Sequence, residues 1–237
     1  MYFSRTLLNV AALLACYTSA YPLTKRATSA ADPTIVDAGG NYMRATYLAD
    51  GSIMGAYATG GGIDHHITAT RSTDGGLTWS ETGVVSSATA PDNDLDNADI
   101  LQIGGGRILA AFRNHDKNSD GTYKYYRISV CHSEDNGATW EFLSQADERP
   151  AADNNGLWEP FMRMAGDGSV QIYYSSESEG EKADQDNIMK VSSDGGLTWG
   201  PVIQVSGSGI TSRDGMTGVT SIDGGANLMY VPSLSYL

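Results

Sequence analysis

The sequence predicts an all-β fold, a β-propeller of four-stranded antiparallel blades, from three observations. The phrase S-x-D-x-G-x-T-W occurs three times, as Ser72–Trp79, Ser133–Trp140 and Ser192–Trp199, its serines 61 and then 59 residues apart. Such spacing marks a repeating unit of about sixty residues. Short β-prone runs and glycine-rich turns recur in the same order around each copy, and no helical periodicity is visible beyond the N-terminal segment.

Within each unit the elements follow one sequence. The turn signals are Asp50-Gly51, Gly104-Gly105-Gly106, Asp167-Gly168 and Asp223-Gly224-Gly225, and the first three precede the β-prone runs Ile53–Tyr57, Ile108–Phe112 and Val170–Tyr174. A third strand is expected at Ile67–Arg71, Tyr125–Cys131 and Asn187–Val191, after which the repeated phrase turns the chain into a fourth. Four antiparallel strands make one propeller blade, and the fourth turn signal begins a fourth unit.

The phrase itself reads as scaffold rather than as a catalytic or metal loop. Gly75, Gly137 and Gly195, or the residue after each, suit the positive φ of a tight turn. Asp74, Asp135 and Asp194 are placed to accept bonds from the turn's own amides, with the Ser and Thr hydroxyls in the same network. Trp79, Trp140 and Trp199 are expected to pack between neighbouring blades.

The N-terminus reads as an export signal over residues 1–20: Arg5, then the apolar run Leu7–Ala15, then the small residues Thr18-Ser19-Ala20. Residues 21–26 end in Lys25-Arg26, either a dibasic processing site closing a short pro-segment or two solvated charges in a linker. The mature chain, 27–237, is therefore expected to be secreted and extracellular. Removing residues 1–26 removes three positive charges and no negative ones, which takes the formal net charge from −13 to −16. A balance that acidic argues against nucleic acid and anionic membranes as partners, and for a neutral or cationic ligand. Of the two cysteines, Cys16 lies in the signal, so Cys131 has no partner for an internal disulfide. Stability must come from packing.

Two metal-like motifs fail on inspection. Asp92-x-Asp94-x-Asp96 begins like a calcium loop, but Asn97 replaces the turn glycine and Ile103 stands where the closing Glu belongs. His65-His66 on a strand would point to opposite faces. Neither a metal nor another cofactor is expected.

Five runs between the repeated phrases narrow the reading: Asp94–Asn97, Ala111–Asp116, Gly156–Phe161, Asp184–Asn187 and Thr211–Met216. In this order, and with phrases that look like the Asp-boxes of the sialidase superfamily, the chain resembles glycoside hydrolase family 93. That resemblance implies a secreted, six-bladed fungal propeller acting as a retaining exo-α-L-1,5-arabinanase that releases arabinobiose from arabinan ends. By the same resemblance Glu159 is a catalytic glutamate, assigned as general acid/base, in a Trp158-Glu159-Pro160 context where an apolar neighbour can raise its pKa. Arg44, Asn97 and Asp214 are read as comparable positions in the other units, forming a polar ring for sugar hydroxyls. Arg113, His115, Gln185 and Arg213 complete the expected substrate-binding set.

A retaining glycosidase needs a second carboxylate about 5 Å from the first. The resemblance places it at the end of the strand Asn227–Val231, where this chain continues Pro232-Ser233 with no acidic residue after Asp223. The mature residues supply about three and a half units where a propeller closes with four to eight blades. The chain therefore reads as a truncated member, expected to be inactive, whose open edges invite self-association. Two alternatives stay open: a non-catalytic carbohydrate-binding propeller fragment, and a sialidase using Arg44 in a carboxylate-binding arginine cluster.

Overall fold

The computed structural model describes residues 35–60, 64–89, 91–153, 155–177, 184–222 and 227–234. The expected signal and pro-segment, and the turn at 223–225, lie outside the described residues. Blade one comprises β1 (Gly40–Tyr47), β2 (Ile53–Thr59), β3 (Asp64–Ser72) and β4 (Ser80–Thr89). Blade two comprises β5 (Asn93–Gly104), β6 (Arg107–Lys117), β7 (Tyr123–Ser133) and β8 (Glu141–Pro150). Blade three comprises β9 (Leu157–Met164), β10 (Val170–Glu177), β11 (Gln185–Ser192) and β12 (Ile203–Ser206), and a fourth begins with β13 (Asp214–Ile222) and β14 (Asn227–Leu234). Every complete blade is an antiparallel meander in chain order, and the first strands β1, β5, β9 and β13 pack side by side. The fold is the all-β propeller the repeat predicts, at three and a half blades.

Each expected run lies within a longer strand, and two site segments fall inside strands accordingly. Arg113-Asn114-His115, just past the expected run Ile108–Phe112, lies inside β6, and Glu159 is the third residue of β9.

Side-chain alternation along the strands decides how blades stack. On β6, Ile108, Ala110 and Phe112 face blade one, where they join Met54, Ala56, Ile67 and Ala69 in one core. The intervening Leu109 and Ala111 face blade three, with Leu157, Met162, Ile172 and Tyr174. A period of two thus buries both faces of blade two, one against each neighbour. Cys131 is buried in the first core, and burial pushes its thiol up to about 12.

The repeated phrase folds identically three times. Asp74 Oδ1 accepts from the Thr78 amide at 2.9 Å and its Oδ2 from the Thr78 hydroxyl at 2.6 Å, while Ser72 Oγ accepts from the Gly76 amide at 2.8 Å. Asp135 with Thr139, and Asp194 with Thr198, repeat the pattern at 2.8 and 2.6 Å and at 2.9 and 2.6 Å. The threonine bonds, hydroxyl first, hold all three carboxyls down at about 2. The left-handed pair is Gly75-Gly76, Asn136-Gly137 and Gly195-Gly196, so in the second copy Asn136 takes the first position.

These loops also tie blade to blade. Gly137 lies against Met54 and Thr82 of blade one, and Gly196 lies against Leu109 and Leu143 of blade two, where the Ser144 hydroxyl donates to the Gly196 carbonyl at 2.5 Å. Trp140 packs on the first core and Trp199 on the second, its indole N–H 3.0 Å from Ser144 Oγ. The Trp79 and Trp140 indoles instead donate within their own loops, to the Gly76 carbonyl at 3.1 Å and the Gly137 carbonyl at 3.0 Å, and Trp79 is absent from both cores.

Gly83 shows how close the approach is: a Cβ there would lie 2.6 Å from the Ala138 carbonyl oxygen and 2.8 Å from that of Gly137. Gly83→Ala should therefore lower stability by about 1–3 kcal/mol in urea titration. Gly166→Ala, with no atom within 4 Å of the added methyl, should stay within about 0.5 kcal/mol of the parent. Equal losses in the two variants would show that the loop-to-blade contact carries no weight.

Candidate functional site

All four first strands carry a β-bulge at the same place. The register slips between Asn41 and Arg44, between Asp96 and Asp99, opposite Tyr173 and Ser175 where β9 runs from Trp158 to Phe161, and between Gly215 and Gly218. The first unpaired residue of each bulge is left-handed: Tyr42 (φ 51°), Asn97 (54°), Glu159 (56°) and Met216 (50°). A bulge re-aims the side chain it releases. The residues equivalent to Glu159 are therefore Tyr42, Asn97 and Met216. Of the three positions expected to match it, Asn97 does, whereas Arg44 lies two residues beyond the bulge position and Asp214 two residues before.

Glu159 is fixed from blade four. Its Oε2 accepts from the Met216 amide at 2.6 Å. Gly215 is what lets the two strands close so tightly, because a Cβ there would sit 3.0 Å from Gln185 Nε2 and 3.2 Å from Glu159 Oε2. Gly156 has the same role towards Trp158, whose indole lies 2.3 Å from where a Cβ would stand.

The backbone just beyond Glu159 is held from the other two blades. Arg44 Nη1 donates to the Pro160 carbonyl at 2.6 Å, and the Met162 amide donates to Asp99 Oδ2 at 2.6 Å. Asp99 is buried, and burial pushes its carboxyl up to about 6 against the pull of the Met162 amide and of Arg44. Arg44 is thus spent on β9 rather than on a free carboxylate.

Blade two contributes a charge network. Arg113 donates to Asn97 Oδ1 at 2.9 Å, to Asp94 Oδ1 at 3.1 Å and to Asp96 Oδ2 at 3.3 Å, and its guanidinium lies 5.3 Å from the Trp158 ring centroid. Asp94 also accepts from the Tyr123 hydroxyl at 2.8 Å. Burial works against the Asp94 carboxylate, but Arg113 and Tyr123 outweigh it and hold the group below the usual carboxylate range. The calcium-like acidic run is in fact the seat of this arginine.

His115 is not a ligand contact. It is 0% exposed, boxed edge-on by Tyr123, Tyr126 and Trp158 at 5.0–5.5 Å, with Nδ1 accepting from the Arg127 amide at 3.1 Å. Burial, with Arg113 nearby, takes its pKa down to about 3, so the ring is neutral. Sequence placed it with Arg113 because both are polar; period-two alternation on a strand puts i and i+2 on one face but cannot say which of the two reaches the rim.

Gln185, Arg213 and Asp214 meet between blades three and four. Arg213 donates to Gln185 Oε1 at 2.6 Å and pairs with Glu177 at 3.1 Å, and Gln185 Nε2 donates to the Asp214 carbonyl at 3.1 Å. The Asp214 carboxylate accepts from the hydroxyls of Ser206 at 2.6 Å and Ser212 at 3.1 Å.

Sequence reasoning missed Asp99, Glu177, Tyr42, Met216 and the aromatic box. The spacing of the repeat was the available signal, since Tyr42, Asn97, Glu159 and Met216 recur at intervals of 55, 62 and 57 residues.

No protein-family model matches the chain, and no curated protein matches it. Among solved structures it is similar to a Penicillium chrysogenum α-L-arabinanase complexed with arabinobiose, with 27% identity and a TM-score of 0.66 over 82% of this chain and 57% of that one. It is also similar to the GH93 α-L-arabinofuranosidase of Fusarium graminearum with arabinobiose, at 24% identity and a TM-score of 0.65 over 82% and 56%. A family 117 glycoside hydrolase produced by Zobellia galactanivorans shares the fold at 15% identity and a TM-score of 0.55, over 76% of this chain and 59% of that one. The chain thus spans a little over half the length of the arabinanase-type structures it matches, and its fold is like that of glycoside hydrolase family 93.

Asp99 and His115, both buried, give opposite pH signatures. The folded Asp99 carboxyl binds its proton more tightly than the unfolded one at 3.8, so its contribution is full below about pH 4 and is lost as pH rises through about 6. His115 contributes fully above 6.5, and this is lost as pH falls toward about 3. Between pH 6 and 4 the slopes oppose, each about 1.4 kcal/mol per pH unit. In urea titrations Asp99→Asn should therefore lose stability on acidification more steeply than the parent, by about that amount per unit. Parallel profiles would show that Asp99 titrates as it does in the unfolded chain.

Proposed function

We propose that this chain is the substrate-end part of an exported glycoside hydrolase of the exo-α-L-1,5-arabinanase type, with Glu159 as its general acid/base. The observation that carries the reading is the placement of Glu159: a carboxylate on a left-handed bulge, held by the Met216 amide, with Gln185 beside it at Gly215 and the preceding Trp158 under the Arg113 guanidinium. Likeness to two structures holding arabinobiose supports the substrate class. In this role Glu159 gives its proton to the glycosidic oxygen as the bond to the anomeric carbon breaks, then takes one from the water that releases the sugar. The covalent intermediate needs a second carboxylate about 5 Å away.

One observation favours a second reading, a carbohydrate-binding propeller without turnover. Asp214, the acid on the first strand of blade four, has its two oxygens committed to the hydroxyls of Ser206 and Ser212. Both readings share the sugar site and differ in the chemistry after binding.

The test is calorimetry of the folded protein with linear arabino-oligosaccharides, run alongside chromatographic detection of arabinobiose. Binding is expected in the parent and in Glu159→Gln; arabinobiose release by the parent and not by Glu159→Gln marks the enzyme. Binding without release marks the second reading. A folded sample that shows neither heat nor product would remove both.

A further inference from the structure

Left-handed backbone is cheap for glycine and strained for a side chain that is bulky at Cβ and beyond. Among the described residues 13 glycines have positive φ, and this chain places them in turns and in the repeated loops. Only five other described residues do so. One is Asn136, whose residue type tolerates the region best and whose counterparts Gly75 and Gly195 are glycines. The remaining four, Tyr42, Asn97, Glu159 and Met216, occupy one register on four successive first strands. Strain repeated at one register, where glycine would relieve it, is retained for what the side chains do.

Two of the four have evident polar tasks: Glu159 presents its carboxylate, and Asn97, 2% exposed, receives Arg113. Tyr42 and Met216 have no comparable side-chain commitment to the fold. Tyr42 is 48% exposed and Met216 44% exposed, and they stand at the two ends of the arc formed by the four bulges. Blade one nonetheless reaches this arc, for Asn41 Nδ2 donates to Asp96 Oδ2 at 3.5 Å and Arg44 holds Pro160 beside Glu159. An arc with polar groups at its middle and exposed apolar faces at its ends matches a sugar, which has hydroxyls on its edge and C–H groups on its faces.

We propose that Tyr42 and Met216 are ligand-contacting residues, supplying the apolar faces on which the C–H surfaces of the terminal sugar units rest while their hydroxyls meet the Glu159 carboxylate and the exposed edge of the Arg113 guanidinium. This rests on the carbohydrate reading of the site and adds the residues that set its selectivity for a chain end.

The experiment titrates arabinotriose into the parent, Tyr42→Gly, Tyr42→Phe and Met216→Gly, with melting temperatures recorded for each. Both glycine variants should melt at or above the parent temperature, because glycine relieves the strain, yet bind more weakly by about tenfold or more. Tyr42→Phe should bind within about threefold of the parent. Independently of any substitution, the methyl resonance of Met216 in ¹³C-methyl-methionine protein should shift on addition of arabinotriose. Glycine variants that bind within about twofold of the parent, with an unmoved Met216 methyl, would overturn this assignment and leave the sugar site standing. No binding by the parent would overturn the carbohydrate reading itself, and this proposal with it.

Discussion

A four-stranded blade is apolar on both faces, and everything else in this molecule follows from the need to cover the two at once. Blade two shows the solution: adjacent residues of β6 belong to different cores, one shared with blade one and the other with blade three. Where a blade stands between two neighbours, as blade two does, both faces are consumed by stacking and neither is left for a ligand. The free chemistry is confined to the edges, and the first strands meet side by side there. A regular strand would aim its side chains only into the two cores. The bulge is the departure from regularity that turns one residue per blade away from them.

Charge is handled in keeping with that constraint. The strongly basic groups near the bulges are each matched: Arg113 by two aspartates and Asn97, Arg213 by Glu177 and Gln185, Arg44 by a backbone carbonyl. Arg44 and Arg213 bridge blades while Arg113 braces blade two internally, and Glu159 is positioned by contacts from blades one, two and four as well as by its own strand. His115, neutral and enclosed by three aromatic rings, belongs to this support and fills space beneath Trp158.

Much of the fold was legible because the repeated phrase is local chemistry. Its Ser, Asp and Thr bond within eight residues, so the sequence alone specifies the turn, and the turn's spacing specifies the blade. The site was legible in part. Glu159 and its neighbours were found through a resemblance, and their register within the strands was not. A bulge costs one residue in the pairing and leaves no mark in composition: Tyr42, Asn97, Glu159 and Met216 share no residue type, only a backbone angle. Asp99 was invisible for another reason. A third aspartate on a strand that already carries Asp94 and Asp96 draws no notice in sequence, and its worth depends on an amide 63 residues away.

The repeated loops also have a direction. The second loop seats on blade one and the third on blade two, each gripping the unit made before it, while the nearest atoms to a Cβ at Gly76 belong to its own blade. As the chain emerges from the ribosome, the second and third loops each find their receptor already synthesised, so their docking proceeds as vectorial growth from the N-terminal side.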